Sequence, residues 1–525
     1  MVAPARPRKR LLLRLAIAAC SVVFAAILCE AVLRAAGGYR LLSLRLDRTA
    51  RTGGDPAEVL DRAPDLVAPL VERWQRQSPH ADPAWLRTSP PPLPLPPPLG
   101  QPLLPQTEWF AHYYVLNSVL LRSMWVKGQR QSAGGSLGTP DTFMVFDPPG
   151  GKPWPSYRYP PSCVLPTGLV TNAFGFRGRE LTVDKPKHTV RIGFVGASTT
   201  VEAHGYGLRH SAPELIEHWL QLWAARRQLD VRFETLNAGR EGIRSHDIRA
   251  IVADELMPLE IDYLVYYEGA NQLGPVQMLK HVRVDGAYQA GSPPPGLVEA
   301  FDETQNADTT VIDRLASWSA TARYLRSALR RDQRLVEVAK PKQELTLPRE
   351  LLEGEFPLAR APEVLELGAI SADLDAIHET LRAQDARLVL STFWLLAGHG
   401  MTFDAVWSNN TQVHLNRQYW PLSYAAIRQL VDVQNRFFAA WAKARGVELV
   451  DVGTALPQDE RLSIDATHQN ELGVRLKAWL VFVQLLPILE RDLAAGRVPV
   501  ADRRADARHP NIGPPRELSR AELDR

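Results

Sequence analysis

Ser198 stands in Gly196-Ala197-Ser198-Thr199-Thr200, directly after the apolar run Val190 to Val195. A hydroxyl at the end of a strand is presented at the rim of a sheet, where it can attack an electrophile. Three further segments supply what such an attack needs: Asn237-Ala238-Gly239, Gly269-Ala270-Asn271 and Asp465-Ala466-Thr467-His468. In order they bring a backbone donor, a side-chain amide donor, and a carboxylate with an imidazole three residues on. His468 is the candidate general base and Asp465 the group that fixes its tautomer. The backbone amides of Ser198 and Gly239 with the side-chain amide of Asn271 form a candidate oxyanion hole, each donor worth roughly 3 kcal/mol in a transition state. The chemistry is acyl transfer through a serine nucleophile.

Residues so far apart in sequence must be gathered by the fold. Apolar runs at Val190 to Val195, Val231 to Leu236, Tyr263 to Tyr267, Arg387 to Thr392 and Val447 to Val452 alternate with helical stretches at Pro213 to Gln228, Ala372 to Gln384, Tyr424 to Ala444 and Glu471 to Leu493. That alternation predicts an α/β protein: a three-layer α/β/α arrangement around a parallel sheet of about five strands. In such a sheet the loops at the carboxyl ends of the strands converge on one crevice. Ser198, Gly239 and Asn271 each follow a strand by a few residues, and Asp465 and His468 come after the last strand and just before the final helix.

The four blocks, in this chain order, resemble the SGNH hydrolase superfamily, or GDSL-type esterases, over about residues 188 to 492. The resemblance implies a three-layer fold with esterase, lipase or carbohydrate-deacetylase activity. Carried over by position, it makes Ser198 the nucleophile, Gly239 and Asn271 oxyanion donors, and Asp465 and His468 the rest of the triad. Two positions depart from the pattern: Ala197 replaces the aspartate that usually precedes the serine, and Gln272 follows Asn271 where an acidic residue is common. Neither carries a proton in the reaction. The segment Thr171 to Gly178 also resembles membrane-anchored bacterial members; its Arg177 is read as a brace of the sheet edge rather than as an anion site.

Other chemistries are disfavoured. His204, His210, His246 and His399 are scattered without ligand spacing, so no metal is expected. No G-x-G-x-x-G loop is present, and no cofactor is expected. With 61 basic against 58 acidic residues there is no strong field for nucleic acid. Cys20 and Cys29 lie in the N-terminal apolar segment, leaving Cys163 alone, so the remainder has no internal disulfide.

Arg6, Arg8, Lys9 and Arg10 precede an apolar stretch from Leu11 toward Leu33 that is about long enough to cross a bilayer. It is read as an uncleaved transmembrane signal anchor with the basic flank inside; a cleaved signal peptide is the competing reading. The expected organisation is a basic tail (1–10), the anchor (11–36), a proline-rich spacer or irregular region (37–108) and an extension packed on the catalytic domain (109–187). The hydrolase-like domain (188–495) then carries an insertion (273–362), ahead of a polar tail (496–525). The insertion could cover the site, dock a partner or be a solvated helix. The expected activity is that of a membrane-tethered serine esterase facing away from the cytoplasm and acting on O-acyl esters, of an envelope glycan or a small ester. An O-acyltransferase with the same triad and a non-catalytic envelope scaffold are the alternatives. Oligomeric state is not legible.

Overall fold

A computed structural model of the chain describes residues 6–36, 41, 56–94, 142–145, 155, 158–159, 161–162, 164, 169–202, 208–272, 315, 318–329, 344–360, 367–398, 409–500 and 516–519. The chain divides into two compact units, one of Met1–Arg51 with Ser292–Lys340, the other of Thr52–Gly291 with Pro341–Arg525. The strands of the central sheet are β1 Thr189–Gly196, β2 Arg232–Asn237, β3 Tyr263–Tyr267, β4 Arg387–Ser391 and β5 Glu448–Val450. The helices used below are α1 Arg6–Ala36, α2 Pro64–Gln77, α3 Ser198–Val201, α4 Ala212–Arg226, α5 Ser245–Ile251, α6 Ala320–Leu329, α7 Gly368–Arg382, α8 Asn409–Tyr419, α9 Tyr424–Arg445 and α10 Glu471–Ala494.

The larger unit is built on five parallel strands in the order β2-β1-β3-β4-β5, as the sequence alternation requires. All eight residues of β1 are buried, as expected of an inner strand covered on both faces. Its neighbours lie on opposite sides, β2 on one and β3 on the other, so the strand order reverses at β1. That reversal opens a crevice at the carboxyl end of β1, directly beside Ser198.

Three of the helices open on polar side-chain caps. Ser211 and Glu214 form a reciprocal capping box before α4. Ser423 caps α9 through the Ala426 N–H, and Asn470 caps α10 through the Gly473 N–H. α10 is apolar enough to cross a membrane, yet 89% of it is buried; it is the central core helix, with Trp479 set edge-on to Trp219 of α4 at 5.1 Å between ring centroids.

The region expected as an irregular spacer departs from that reading between residues 56 and 87. Pro64 sits in the first turn of α2, where its missing N–H costs nothing. Val67, Leu70 and Trp74 then recur along one helical face and enter the core. Even the start of the polyproline run is held down, by the buried Arg475 of α10, which donates to Leu86 O and Thr88 O at 2.8 Å each and to Ser89 Oγ at 2.6 Å. The aromatic stretch Trp109 to Trp125, Cys163, and most of the insertion and of the C-terminal tail lie outside the described residues.

The smaller unit contains α1 and α6. Residues Ile17–Ala35 of α1 are long and apolar enough to cross a membrane and only 6% buried.

Candidate functional site

The Asp-x-x-His block forms a closed turn. Ser463 bridges to Gln469 in antiparallel fashion, and Ile464 N–H donates to His468 O at 2.8 Å. Within it, Asp465 Oδ1 accepts from the backbone N–H groups of Thr467 and His468, both at 2.8 Å. Leu396, in the loop after β4, donates its N–H to Ala466 O at 2.7 Å and pins the turn to the rim of the sheet. The aspartate is thus locked by its own backbone, and its second oxygen is aimed at the imidazole.

From that base the side chains line up. Asp465 Oδ2 lies 2.7 Å from His468 Nδ1, and His468 Nε2 lies 2.8 Å from Ser198 Oγ, across 270 residues of sequence. These distances suit a neutral imidazole that donates from Nδ1 to the carboxylate and accepts the serine proton at Nε2. Burial alone would raise the Asp465 pKa, but the neighbouring His468, the His414 imidazole and the His468 backbone N–H outweigh it and hold the carboxyl well below the usual aspartate range. Asp465 is thus held as the carboxylate beside the imidazole.

Ser198 opens the short helix α3 and is 9% exposed. Gly196 must be glycine here: a Cβ at that position would lie 2.0 Å from Tyr267 O and 2.1 Å from Thr200 Oγ1. The Thr200 hydroxyl uses this close approach to donate to Tyr267 O at 2.9 Å, tying α3 to the end of β3.

The three expected oxyanion donors reach the same rim. Among the described residues the Ser198 N–H meets no acceptor, as the first N–H of a helix commonly does not. Gly239 abuts α3; its N–H points at Asn237 Oδ1 across 3.2 Å, a long contact that an oxyanion could displace. Asn271 Nδ2 donates to Ile243 O at 2.9 Å, which fixes the amide and leaves its second hydrogen for a ligand.

Several residues outside the sequence-level candidates hold this arrangement. Glu268, wholly buried at the end of β3, accepts from the Ala197 N–H through one carboxylate oxygen and from the Asn271 N–H through the other, each at 3.0 Å. It staples the serine loop to the asparagine loop. Burial pushes its pKa up to about 7, with the Asn271, Ala197 and Gly269 N–H groups opposing the rise. Lys477 of α10, 3% exposed, pairs with Glu202 at 2.6 Å, donates to Thr199 O at 2.7 Å and lies 4.9 Å over the Tyr267 ring, clamping the end of α3. Asn237 donates to Thr200 O at 2.9 Å, and the buried pair Arg240–Glu255 anchors the Gly239 loop. Arg177 is a brace, as its sequence context suggested: its guanidinium donates to Val201 O, Glu202 O and Leu208 O at 3.0, 2.7 and 3.1 Å.

His414 of α8 also stands in the site, with Nδ1 3.7 Å from Asp465 Oδ2 and its ring edge-on to His468 at 6.1 Å between centroids. His414, Asp465 and His468 place their ligand atoms within 4.8 Å of one another, a group able to face a metal ion. Nothing in the sequence pointed to His414. Two members of that group already engage each other and the serine, so an ion there would compete with the relay. Of the four scattered histidines, His204 and His399 lie outside the described residues.

No protein-family model matches the chain, and no curated relative does. Solved structures similar to it include a GDSL-like lipase from Bacteroides thetaiotaomicron, at 12% identity over 59% of this chain and 92% of that one with a TM-score of 0.27. An acetyl xylan esterase, AlAXEase, matches at 13% identity over 55% and 97% with a TM-score of 0.28. An acetyl xylan esterase of Geobacillus stearothermophilus matches at 11% over 57% and 97% with a TM-score of 0.30. Likenesses this remote carry no argument; the fold rests on the sheet order and register described above.

Proposed function

We propose that the protein is a membrane-tethered serine esterase of the SGNH kind that hydrolyses O-acyl esters, with O-acetyl groups of an envelope glycan or a small ester as substrate. The observation that supports this reading is the unbroken Ser198–His468–Asp465 relay, at 2.8 and 2.7 Å, beside three candidate donors. In the first half-reaction Ser198 Oγ attacks the ester carbonyl as His468 Nε2 takes its proton. The carbonyl oxygen becomes an oxyanion and meets the N–H groups of Ser198 and Gly239 and the free hydrogen of Asn271. His468 then gives its proton to the departing alkoxide, leaving an acyl-serine and a free alcohol. Water, deprotonated by the same imidazole, releases the acid and restores the serine. Asp465, fixed by two backbone N–H groups, stabilises the imidazolium in both halves without taking a proton.

The tether is α1, whose basic flank and apolar length suit a signal anchor. A tethered enzyme would meet envelope polymers at high effective concentration, which favours a glycan substrate. The test is Ser198→Ala assayed on a chromogenic acetyl ester and labelled with a fluorophosphonate. Loss of both turnover and labelling is expected. Full activity in the variant would end the proposal, and a wild-type chain that neither turns over nor labels would favour the scaffold.

A further inference from the structure

We propose that Leu315, Trp318 and the helix α6 lie in the membrane–water interface beside the far end of α1, with Glu30 as the tether between the spanning helix and the surface helix. The inference rests on the reading of α1 as a membrane anchor and assigns a lipid surface as the partner of the insertion.

The argument begins with length. The basic residues Arg6, Arg8, Lys9 and Arg10 fix one boundary of the bilayer near Leu11, and Arg14, one turn further, snorkels to the same boundary. From Leu11 to Glu30 a helix rises about 30 Å, the thickness of the hydrocarbon core. Glu30 therefore falls at the opposite boundary. A carboxylate there needs partners, and it finds them in one place: Arg34 Nε at 2.6 Å, Ser319 Oγ at 2.7 Å, Ala320 N–H at 2.8 Å and Thr321 N–H at 2.9 Å. Arg34 also donates to Trp318 O at 2.6 Å. The charge at the end of α1 is thereby consumed in capping α6, and α6 must begin at the depth of Glu30.

The side chains at that depth match an interface. Leu315, Trp318, Tyr324 and Leu325 are each 50–58% exposed, a costly arrangement in water that continues the exposed apolar surface of α1, where Phe24, Ile27 and Leu28 are 54–68% exposed. Tryptophan and tyrosine concentrate at the headgroup level because their rings are apolar with one polar edge. In sequence, Arg323 and Arg326 of α6 are followed by Arg330, Arg331 and Arg334 against the single acid Asp332, a basic composition that draws a surface segment to anionic headgroups.

The test uses the full chain with Cys20, Cys29 and Cys163 changed to serine, reconstituted into phosphatidylcholine–phosphatidylglycerol vesicles. A single cysteine is introduced by Tyr324→Cys, Leu325→Cys or, as a reference in the other unit, Glu353→Cys, and carries an environment-sensitive NBD label. A nitroxide on the lipid should quench the labels at 324 and 325 about threefold or more over the label at 353, with blue-shifted emission and protection from aqueous iodide. Glu30→Ala should leave the protein in the vesicles and reduce lipid quenching at 324; unchanged quenching would overturn the role of Glu30. Iodide access at 324 and 325 equal to that at 353, in protein that survives an alkaline wash, would overturn the interfacial helix while the anchor stands. Protein removed by the wash would overturn the anchor, and the present inference with it.

Discussion

Replacing Glu268 by glutamine isolates the staple between the Ser198 loop and the Asn271 loop. The carboxylate is wholly buried and accepts at 3.0 Å from Ala197 N–H on one oxygen and from Asn271 N–H on the other. Its pKa, raised from 4.5 to about 7 by burial, sets the sign of its effect on stability. The folded state holds the proton that the unfolded state has released, so Glu268 stabilises the fold most below about pH 4.5. That contribution is lost as the pH rises toward about 7, and the whole loss amounts to about 3 kcal/mol. Glutamine carries no charge, so its burial cost does not change with pH. It also offers one acceptor where the carboxylate offers two, and its amide nitrogen faces a backbone N–H; leaving that donor unpaired costs about 1–3 kcal/mol. Denaturant unfolding of both proteins at pH 5, 6, 7 and 8 should show wild-type stability falling relative to the variant by about 2–3 kcal/mol, with other titrating groups cancelling in the difference. On an acetyl ester, kcat of Glu268→Gln should fall by about 10- to 100-fold through misplacement of the serine and the amide. A stability difference that is flat between pH 5 and 8, with unchanged kcat, would refute the reasoning.

Gly239→Ala puts a Cβ 2.6 Å from Val201 N and 3.0 Å from the Thr200 Cβ; α3 must shift, and kcat should drop on the order of 100-fold with the protein still folded by circular dichroism. Asn271→Ala removes one candidate oxyanion donor and should lower kcat by roughly 100- to 1,000-fold with little change in KM, read from steady-state kinetics on the acetyl ester. Lys477→Met strands the Glu202 charge in the interior and should cost about 3–5 kcal/mol in urea denaturation, most of it recovered by adding Glu202→Gln. Asp465→Asn should reduce kcat by about 10,000-fold through the wrong imidazole tautomer.

The sheet was legible because each of its strands is a short apolar run bounded by turns, and both α9 and α10 begin at the residue their periodicity names. The contact line from Asp465 through His468 to Ser198 was legible for a local reason: Asp465 and His468 are three residues apart in one turn, and Ser198 follows a strand. What escaped were residues whose meaning lies in a distant partner. Glu268 reads as an ordinary strand-end acid until Ala197, 71 residues earlier, donates to it. Lys477 reads as the polar side of a helix until Thr199, 278 residues away, closes on it. His414 sits on a helix with no motif around it. Between residues 56 and 87 the prolines suggest irregular chain, whereas a proline in the first turn of α2 fits a helix that buries Trp74.

The opposite end of the sheet shows a contrasting economy. There Asp262 takes Lys185 Nζ at 2.9 Å and the Arg191 N–H at 2.8 Å, while Arg191, with no exposed surface, reaches Val183 O, Leu259 O and Glu234. Buried charge thus bolts the floor of the molecule as well as the loops above it. Such fastening limits where the rim can change: lengthening the serine or asparagine loop would pull on a shared carboxylate, so sequence variation at this rim should accumulate outside these two loops.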